Sequence, residues 1–276
     1  ESYFAYGLET FHALALEKGI RLAVLPGDDK PDPGLERLST LGRQDCRQLH
    51  AYLGEGGPQN ARNFLLYCRH LLGEGEAPAQ AAPLLKAGLW HPGPGICSLQ
   101  DVERVWKAGA QVAAICFYRA LVQSGGLEPV EALVEALGQR GVNALPVFVS
   151  SLKDAVSAET VRGFFSAHPP DVVVNLTGFA VSSPGSDWKG TVLDETGAVV
   201  LQAVLAGGSR EAWETSSQGL SSRDLAMNVA LPEVDGRVLS RAIAFKHAGT
   251  FDEAVEANIV THRADAGRVA FVADLA

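Results

Sequence analysis

From residue 86 to residue 205 the sequence alternates between short apolar runs and amphipathic segments, and this order restricts the chain to few folds. The apolar runs have the length of buried strands, and the segments between them have the length and periodicity of helices. The predicted strands are Lys86–Trp90, Gln111–Tyr118, Val142–Val149, Asp171–Leu176 and Val199–Leu205. The predicted helices are Ser98–Ala108, Glu128–Arg140 and Ala158–Ser166. The pattern predicts an α/β fold with a Rossmann-like or flavodoxin-like parallel sheet and helices on both faces.

Polar residues and glycines follow several of the predicted strands. Ligands of parallel sheets bind outside the carboxyl ends of the strands, so side chains at those ends are candidates for a binding site. Asn175 and Thr177 follow one strand, and Ser209 follows another and begins a short helix. Trp213, in that helix, is either a core side chain or a platform on which a flat ligand stacks. We therefore predict a substrate site at this edge, formed by these four residues.

The first 83 residues have a different pattern. Helices are predicted for Tyr3–Lys18, Cys46–Leu53 and Pro58–Leu72, and a strand for Ile20–Leu25. The segment Gly73–Pro83 is rich in Gly, Ala and Pro without periodicity, which is typical of a linker. We predict two domains: 1–83, a mostly helical remnant of another α/β domain, and 84–276, a Rossmann-like domain with a C-terminal extension. Because the sequence lacks an initiator Met and stops within an apolar segment, we expect it to be a piece of a longer polypeptide.

The composition argues against several classes of function. The formal net charge of −9 disfavours binding to nucleic acid or to an anionic membrane. No apolar run approaches the roughly 18 residues that a membrane-spanning helix needs. The four cysteines and seven histidines lack the spacing of a zinc motif, which predicts free thiols in a reducing cytoplasm and no metal site within this chain. Nucleotide binding is not expected, because there is no P-loop and the loop His91–Ser98 departs from the dinucleotide fingerprint.

The segment Asn228–Lys246 combines acids and arginines in a pattern that suits catalysis. A proline and an Asp-Gly pair in it are typical of a rigid turn, which would put Glu233 and Asp235 on one loop. Carboxylates can accept protons from a substrate, and Arg237 and Arg241 can bind substrate carboxylates through paired hydrogen bonds. We predict the two acids as catalytic and the two arginines as substrate-binding. The alternative is an ordinary Asp-Gly turn with solvated acids.

Several motifs, taken together and in this order, resemble the large subunit of cobaltochelatase and, more broadly, the H subunit of magnesium chelatase. They are LAVLPGDD at 22–29, YLGEGGPQNARNFLLYC at 52–68, FYRALVQSG at 117–125, LPVFVSSLKD at 145–154, NLTGFA at 175–180, VLQAVLAGGSREAW at 200–213 and LAMNVALPEVDGRVLSRAIAFK at 225–246. The resemblance covers essentially the whole chain.

The resemblance implies the tetrapyrrole-binding subunit of an ATP-dependent chelatase in a bacterial cytoplasm. Such a subunit inserts Co²⁺ into hydrogenobyrinic acid a,c-diamide during cobalamin synthesis, together with two smaller AAA+-type subunits that use ATP and Mg²⁺. The family's HGxxEW-type segment, a candidate for metal handling, is absent from this sequence, and we expect it beyond Ala276. This chain would then contribute scaffold and part of the pocket wall, without activity of its own.

Two alternatives stay open. One is the H subunit of magnesium chelatase, which inserts Mg²⁺ into protoporphyrin IX. The other is a non-enzymatic α/β module that binds a ligand or a partner protein at its strand ends.

Overall fold

Two compact units make up the chain, residues 1–84 and 85–276. The computed structural model describes residues 7–27, 32–182, 190–253 and 256–276. The contacts divide the chain after Leu84, next to the domain boundary predicted at residue 83. No helix within the described ranges is long and apolar enough to cross a membrane.

The described part of the first unit is helical. Its helices are α1 Leu8–Lys18, α2 Pro33–Glu36, α3 Arg43–Glu55 and α4 Gly57–Leu71. Helix α1 ends as predicted at Gly19, whose φ of 64° lies in the left-handed region that terminates helices. The part of this predicted helix before Gly7 lies outside the described residues. Helices α3 and α4 confirm the two helices predicted from Cys46 to Leu72, with Cys46, Leu49 and Tyr52 buried.

The strand predicted at Ile20–Leu25 is wrong, because this segment joins no sheet among the described residues. The N–H of Leu22 donates to Thr40 Oγ1 at 2.7 Å, and the N–H of Val24 donates to Ser39 Oγ at 2.8 Å. Two side-chain hydroxyls thus replace the carbonyls that a neighbouring strand would supply. An apolar run indicates burial but does not specify the hydrogen-bond partner of its backbone.

The segment Gly73–Pro83 has no helix or strand, but side chains hold it in place. Tyr52 Oη donates to the carbonyl of Ala79 at 2.6 Å. The buried amide of Asn60 forms two hydrogen bonds with the backbone of Ala82, both 2.9 Å long. The predicted linker is therefore an ordered strap bound to α3 and α4.

A mixed sheet is the centre of the second unit. Its strands are β1 Ala87–His91, β2 Gly95–Cys97, β3 Val112–Tyr118, β4 Asn143–Val149, β5 Val172–Asn175, β6 Val199–Ser209, β7 Val238–Asp252 and β8 Ala257–Ala264. Their order across the sheet is β2-β1-β4-β3-β5-β6-β7-β8. Strands β3 to β7 are parallel to one another, in the order β4-β3-β5-β6-β7. This is the flavodoxin-like order of a doubly wound sheet.

Helices cover both faces of the sheet. They are α5 Leu99–Glu103, α6 Arg119–Ser124, α7 Glu128–Gln139, α8 Ala155–Ala167, α9 Arg210–Thr215, α10 Ser222–Leu225, α11 Leu231–Val234 and α12 Ala266–Leu275. Helices α7 and α12 contact each other and the strands of one face. Helix α8 packs Val161 and Phe165 against Ala114 and Cys116 of β3 in the core of the other face. The predicted α/β class, with a large and mostly parallel sheet, is confirmed.

The outer strands differ from the prediction in direction. Strand β1 was predicted to join a parallel sheet, but it is antiparallel to β4, with Ala87 opposite Val149. It also forms a hairpin with β2, and β8 is antiparallel to β7. Strands buried on both faces have the same apolar composition in either direction, so composition alone does not determine direction.

Helix α5 is shorter than predicted. It begins after a capping box formed by Ser98 and Asp101 but ends at Glu103 instead of Ala108. The indole of Trp106 donates to the carbonyl of Ala144, and the N–H of Lys107 donates to Asn143 Oδ1, both at 2.9 Å. These two contacts with β4 replace the last turn of the predicted helix.

Candidate functional site

A crevice of about 190 Å³ opens at the carboxyl ends of β3, β4 and β5. Its wall is formed by Tyr118, by residues 151–153 and 177–181, and by Arg237. Strand β3 is followed in the chain by β4 and β5 by β6, and these two lie on opposite sides of the β3–β5 pair, so the crevice lies at the topological switch point. Doubly wound sheets bind ligands at this position. The crevice therefore lies at strand ends, the part of the sheet where a substrate site was predicted.

Arg237 is the main cation in the wall of the crevice, and it is 4% exposed. Its Nη2 donates to Asp235 Oδ2 at 2.9 Å, and its Nη1 donates to the carbonyl of Phe179 at 3.3 Å. Its Nε is buried and has no hydrogen-bond partner among the described residues. The N–H of Nε is thus an unused buried donor of this guanidinium.

Asp235 is engaged on both carboxylate oxygens. Oδ2 accepts from the N–H of Val181 at 2.7 Å as well as from Arg237, and Oδ1 accepts from the N–H of Ser182 at 3.0 Å. The carboxylate therefore holds the loop after β5 and orients the guanidinium that lines the crevice. This arrangement suits a positioning residue better than a free base.

The loop after β5 is held in a constrained conformation. Phe179 has a φ of 62°, which only a few per cent of non-glycine residues adopt. Its N–H donates to the carbonyl of Met227 at 2.7 Å. A Cβ on Gly178 would lie 2.7 Å from Asn228 Oδ1 and 3.0 Å from the Met227 carbonyl oxygen. The close approach of this loop to residues 227–228 therefore requires glycine at 178.

Residues 226–234 are helical, which corrects the predicted acidic loop. A π-helical turn, Ala226–Ala230, continues directly into α11. Glu233 lies on the exposed side of α11, and Asp235 follows the helix, so the two acids are not on one tight loop. The alternative of solvated acids holds for Glu233 only, since Asp235 is buried. Such π-helical turns are frequent near functional sites.

A buried amide network supports the crevice from below. Asn175 Nδ2 donates to Gln202 Oε1 at 2.7 Å, and Asn175 Oδ1 accepts from the hydroxyl of Thr177 at 2.9 Å. Gln202 Nε2 donates to the carbonyl of Thr177 at 2.9 Å. Thr177 also lines the crevice, whereas Asn175 does not. Asn175, which was predicted to bind substrate, thus belongs to the supporting network and not to the wall of the crevice.

The other three predicted binding residues lie away from the crevice. Ser209 caps α9, its Oγ accepting from the N–H of Ala212 at 3.1 Å. Trp213 packs 5.2 Å from the ring of Phe245, as expected for the core alternative. Arg241 lies 3.5 Å above the centre of the Phe271 ring on α12. These side chains stabilise the far part of the sheet.

Two residues of the wall were not among the predicted site residues. The hydroxyl of Tyr118 donates to the carbonyl of Gly178 at 2.9 Å, and burial raises its pKa, so it stays protonated at neutral pH. Lys153, in the loop between β4 and α8, exposes its side chain at the crevice. Tyr118 ends one predicted strand and Lys153 follows another, and this position at the strand ends is the sequence signal for both residues.

The described side chains indicate an anion site rather than a metal site. No three His, Cys, Asp or Glu side chains among the described residues are grouped as a metal ion would require. The crevice instead offers Lys153, Arg237 and the hydroxyls of Tyr118, Ser151 and Thr177. Cationic and hydroxyl donors of this kind bind carboxylate or phosphate groups.

The strand order and the crevice define a doubly wound α/β domain with a cavity at its switch point. Within this class, the family model described as CobN/Magnesium Chelatase matches residues 50–276. The chain belongs to that family.

Relatives with known names support the assignment. The chain is 57% identical over 284 residues to the aerobic cobaltochelatase subunit CobN of Sinorhizobium sp, which covers 100% of this chain and 22% of that protein. It is 28% identical over 249 residues to the chloroplastic magnesium-chelatase subunit ChlH of Oryza sativa subsp. indica, covering 78% of this chain and 17% of the relative. The catalytic subunit of cobaltochelatase from Mycobacterium tuberculosis has a similar structure, with a TM-score of 0.72 and 25% identity over 100% of this chain and 22% of that one. The chain thus spans about a fifth of the length of its cobaltochelatase relatives.

Proposed function

We propose that this chain is part of the tetrapyrrole-binding large subunit of an ATP-dependent cobaltochelatase. The complete protein would insert Co²⁺, its substrate metal, into hydrogenobyrinic acid a,c-diamide during cobalamin synthesis. The observation that carries the proposal is the 57% identity over the whole chain to a protein named as an aerobic cobaltochelatase subunit. The lower identity of 28% to a magnesium-chelatase subunit favours cobalt over magnesium.

Within the complete subunit, this chain would supply scaffold and part of the pocket wall. Arg237 and Thr177 line the crevice and are the proposed substrate contacts, and Asp235 holds Arg237 in place. Glu233 is exposed, two residues before Asp235, and is the proposed proton acceptor. Metal insertion requires the macrocycle to lose its inner protons, for which a nearby carboxylate is a suitable acceptor.

The partners in this proposal are two smaller AAA+-type subunits that hydrolyse ATP with Mg²⁺ and drive the insertion. The proposed compartment is the cytoplasm. Four free thiols among the described residues, Cys46, Cys68, Cys97 and Cys116, suit a reducing environment.

The proposal is tested by reconstitution. The full-length protein is mixed with the two partner subunits, ATP and metal-free corrin diamide, and Co²⁺ insertion is followed by the change in the absorption spectrum. We expect insertion of Co²⁺ and none of Mg²⁺ into protoporphyrin IX under the same conditions. Insertion of Mg²⁺ alone would favour the magnesium branch, and binding of neither macrocycle would favour a non-enzymatic module.

A further inference from the structure

The charged groups that line the crevice include one cation without a counterion. Arg237 is neutralised by Asp235, since their side chains form an ion pair of 2.9 Å. Lys153 forms no ion pair among the described residues. Its neighbour Asp154 is directed elsewhere: Oδ1 lies 3.2 Å from Lys86 Nζ, and Oδ2 accepts from the N–H of Ser157 at 2.9 Å. The described wall therefore carries a net charge of about +1, which a monoanion would balance.

The donors in the wall also exceed the acceptors. Arg237 uses Nη1 and Nη2 within the protein and leaves Nε buried without a partner among the described residues. Buried donors are almost always hydrogen-bonded in native proteins, so an unused one beside a cavity marks a place where an acceptor is missing.

The size of the crevice limits the ligand. Its volume of about 190 Å³ is smaller than the roughly 300–1,000 Å³ of pockets that enclose a drug-sized molecule. A tetrapyrrole ring does not fit inside it, whereas a single acetate- or propionate-sized arm does. The crevice is thus a subsite for the edge of a macrocycle.

We propose that the crevice binds one free carboxylate arm of the macrocycle through Lys153 and Arg237, and so selects substrates in which this arm is not amidated. The inference rests on the proposed function, because it assumes that the subunit binds a tetrapyrrole. A carboxamide has almost the same shape as a carboxylate but no charge, so it forms weaker hydrogen bonds with both cations. The discrimination therefore comes from charge and not from size.

The test measures equilibrium binding by the full-length protein. Two ligands are compared: the metal-free corrin with free carboxylate arms, and the same corrin with every carboxylate converted to a carboxamide. We expect the wild type to bind the acid form about tenfold or more tightly than the amide form. Lys153→Gln should weaken binding of the acid form about tenfold and leave the amide form unchanged, and Lys153→Arg should restore binding of the acid form.

Lys107→Gln is the matched control, because Lys107 is also an exposed lysine and precedes β3 at the opposite end of the sheet. It should change neither dissociation constant. Equal affinity of the wild type for the two ligands, or a Lys153→Gln variant that behaves like Lys107→Gln, would overturn the inference while the proposed function stands. Failure of the wild type to bind either corrin would overturn the proposed function and the inference with it.

Discussion

Asp235 and Arg237 form a buried ion pair in which Nη2 lies 2.9 Å from Oδ2 and the two side chains are 0% and 2% exposed. The same carboxylate binds the backbone N–H groups of Val181 and Ser182. One acid therefore connects the end of α11, the start of β7 and the loop after β5. The shape of the crevice depends on this connection.

Removal of the acid should destabilise the second unit strongly. Asp235→Ala leaves the guanidinium of Arg237 buried without a counterion, which costs about 3–5 kcal/mol in comparable pairs. The measurement is urea unfolding of the chain. The control is Glu233→Ala on the exposed side of α11, which should change the free energy of unfolding by no more than about 0.5 kcal/mol. Similar small effects of both variants would contradict the structural role of Asp235.

Glu233 should affect chemistry more than binding. Glu233→Gln keeps the shape of an exposed side chain and removes its capacity to accept a proton. In the full-length subunit, we expect the rate of cobalt insertion to fall about tenfold or more, with the dissociation constant of the macrocycle changed less than twofold. Insertion at the wild-type rate under substrate-limiting conditions would remove Glu233 from the mechanism.

The loop after β5 should not accept a larger residue at 178. Gly178→Ala places a methyl group 2.7 Å from Asn228 Oδ1, so the loop or the π-helical turn must move. We expect a loss of about 1–3 kcal/mol in the free energy of unfolding, together with weaker macrocycle binding. Gly163→Ala is the control: this glycine lies in α8 with open space around it, and alanine should stabilise the helix by about 0.5–1 kcal/mol. The prediction fails if the two changes have the same sign.

His262 should make the stability depend on pH. Burial, chiefly, lowers its pKa below the ordinary histidine value, and the neighbouring Lys246 acts in the same direction. The unfolded chain then binds more protons than the folded chain as the pH falls through about 6.5, so the free energy of unfolding decreases there and is highest above that pH. His262→Gln should reduce this decrease between about pH 7.5 and 5.5 in urea titrations. An identical pH dependence of variant and wild type would show that His262 does not contribute.

The sequence predicted the strands of the sheet well and the residues of the crevice less well. Apolar runs correctly located β3 to β6, because burial on both faces leaves a local pattern. The location of the crevice followed from the rule for strand ends. The direction of β1 did not follow, because it depends on its pairing with β4 and not on its own residues.

The segment Asn228–Lys246 likewise has features that its own residues do not predict. The Asp-Gly pair predicted a loop, and a turn does occur at Gly236, where φ is 72°. The residues before it form a π-helical turn and α11. The burial of Asp235 depends on the N–H groups of Val181 and Ser182, which are more than fifty positions away in the sequence. Contacts of that separation leave no local pattern.

The proposed role in cobalt chelation is tested most directly by titrating metal-free corrin diamide into the full-length protein and into the chain of 276 residues alone. We expect tight binding by the full-length protein and binding at least about tenfold weaker by the isolated chain. The crevice of this chain accommodates one carboxylate arm of the macrocycle but not the macrocycle ring. Absence of corrin diamide binding by the full-length protein would contradict the assignment to cobalt chelation.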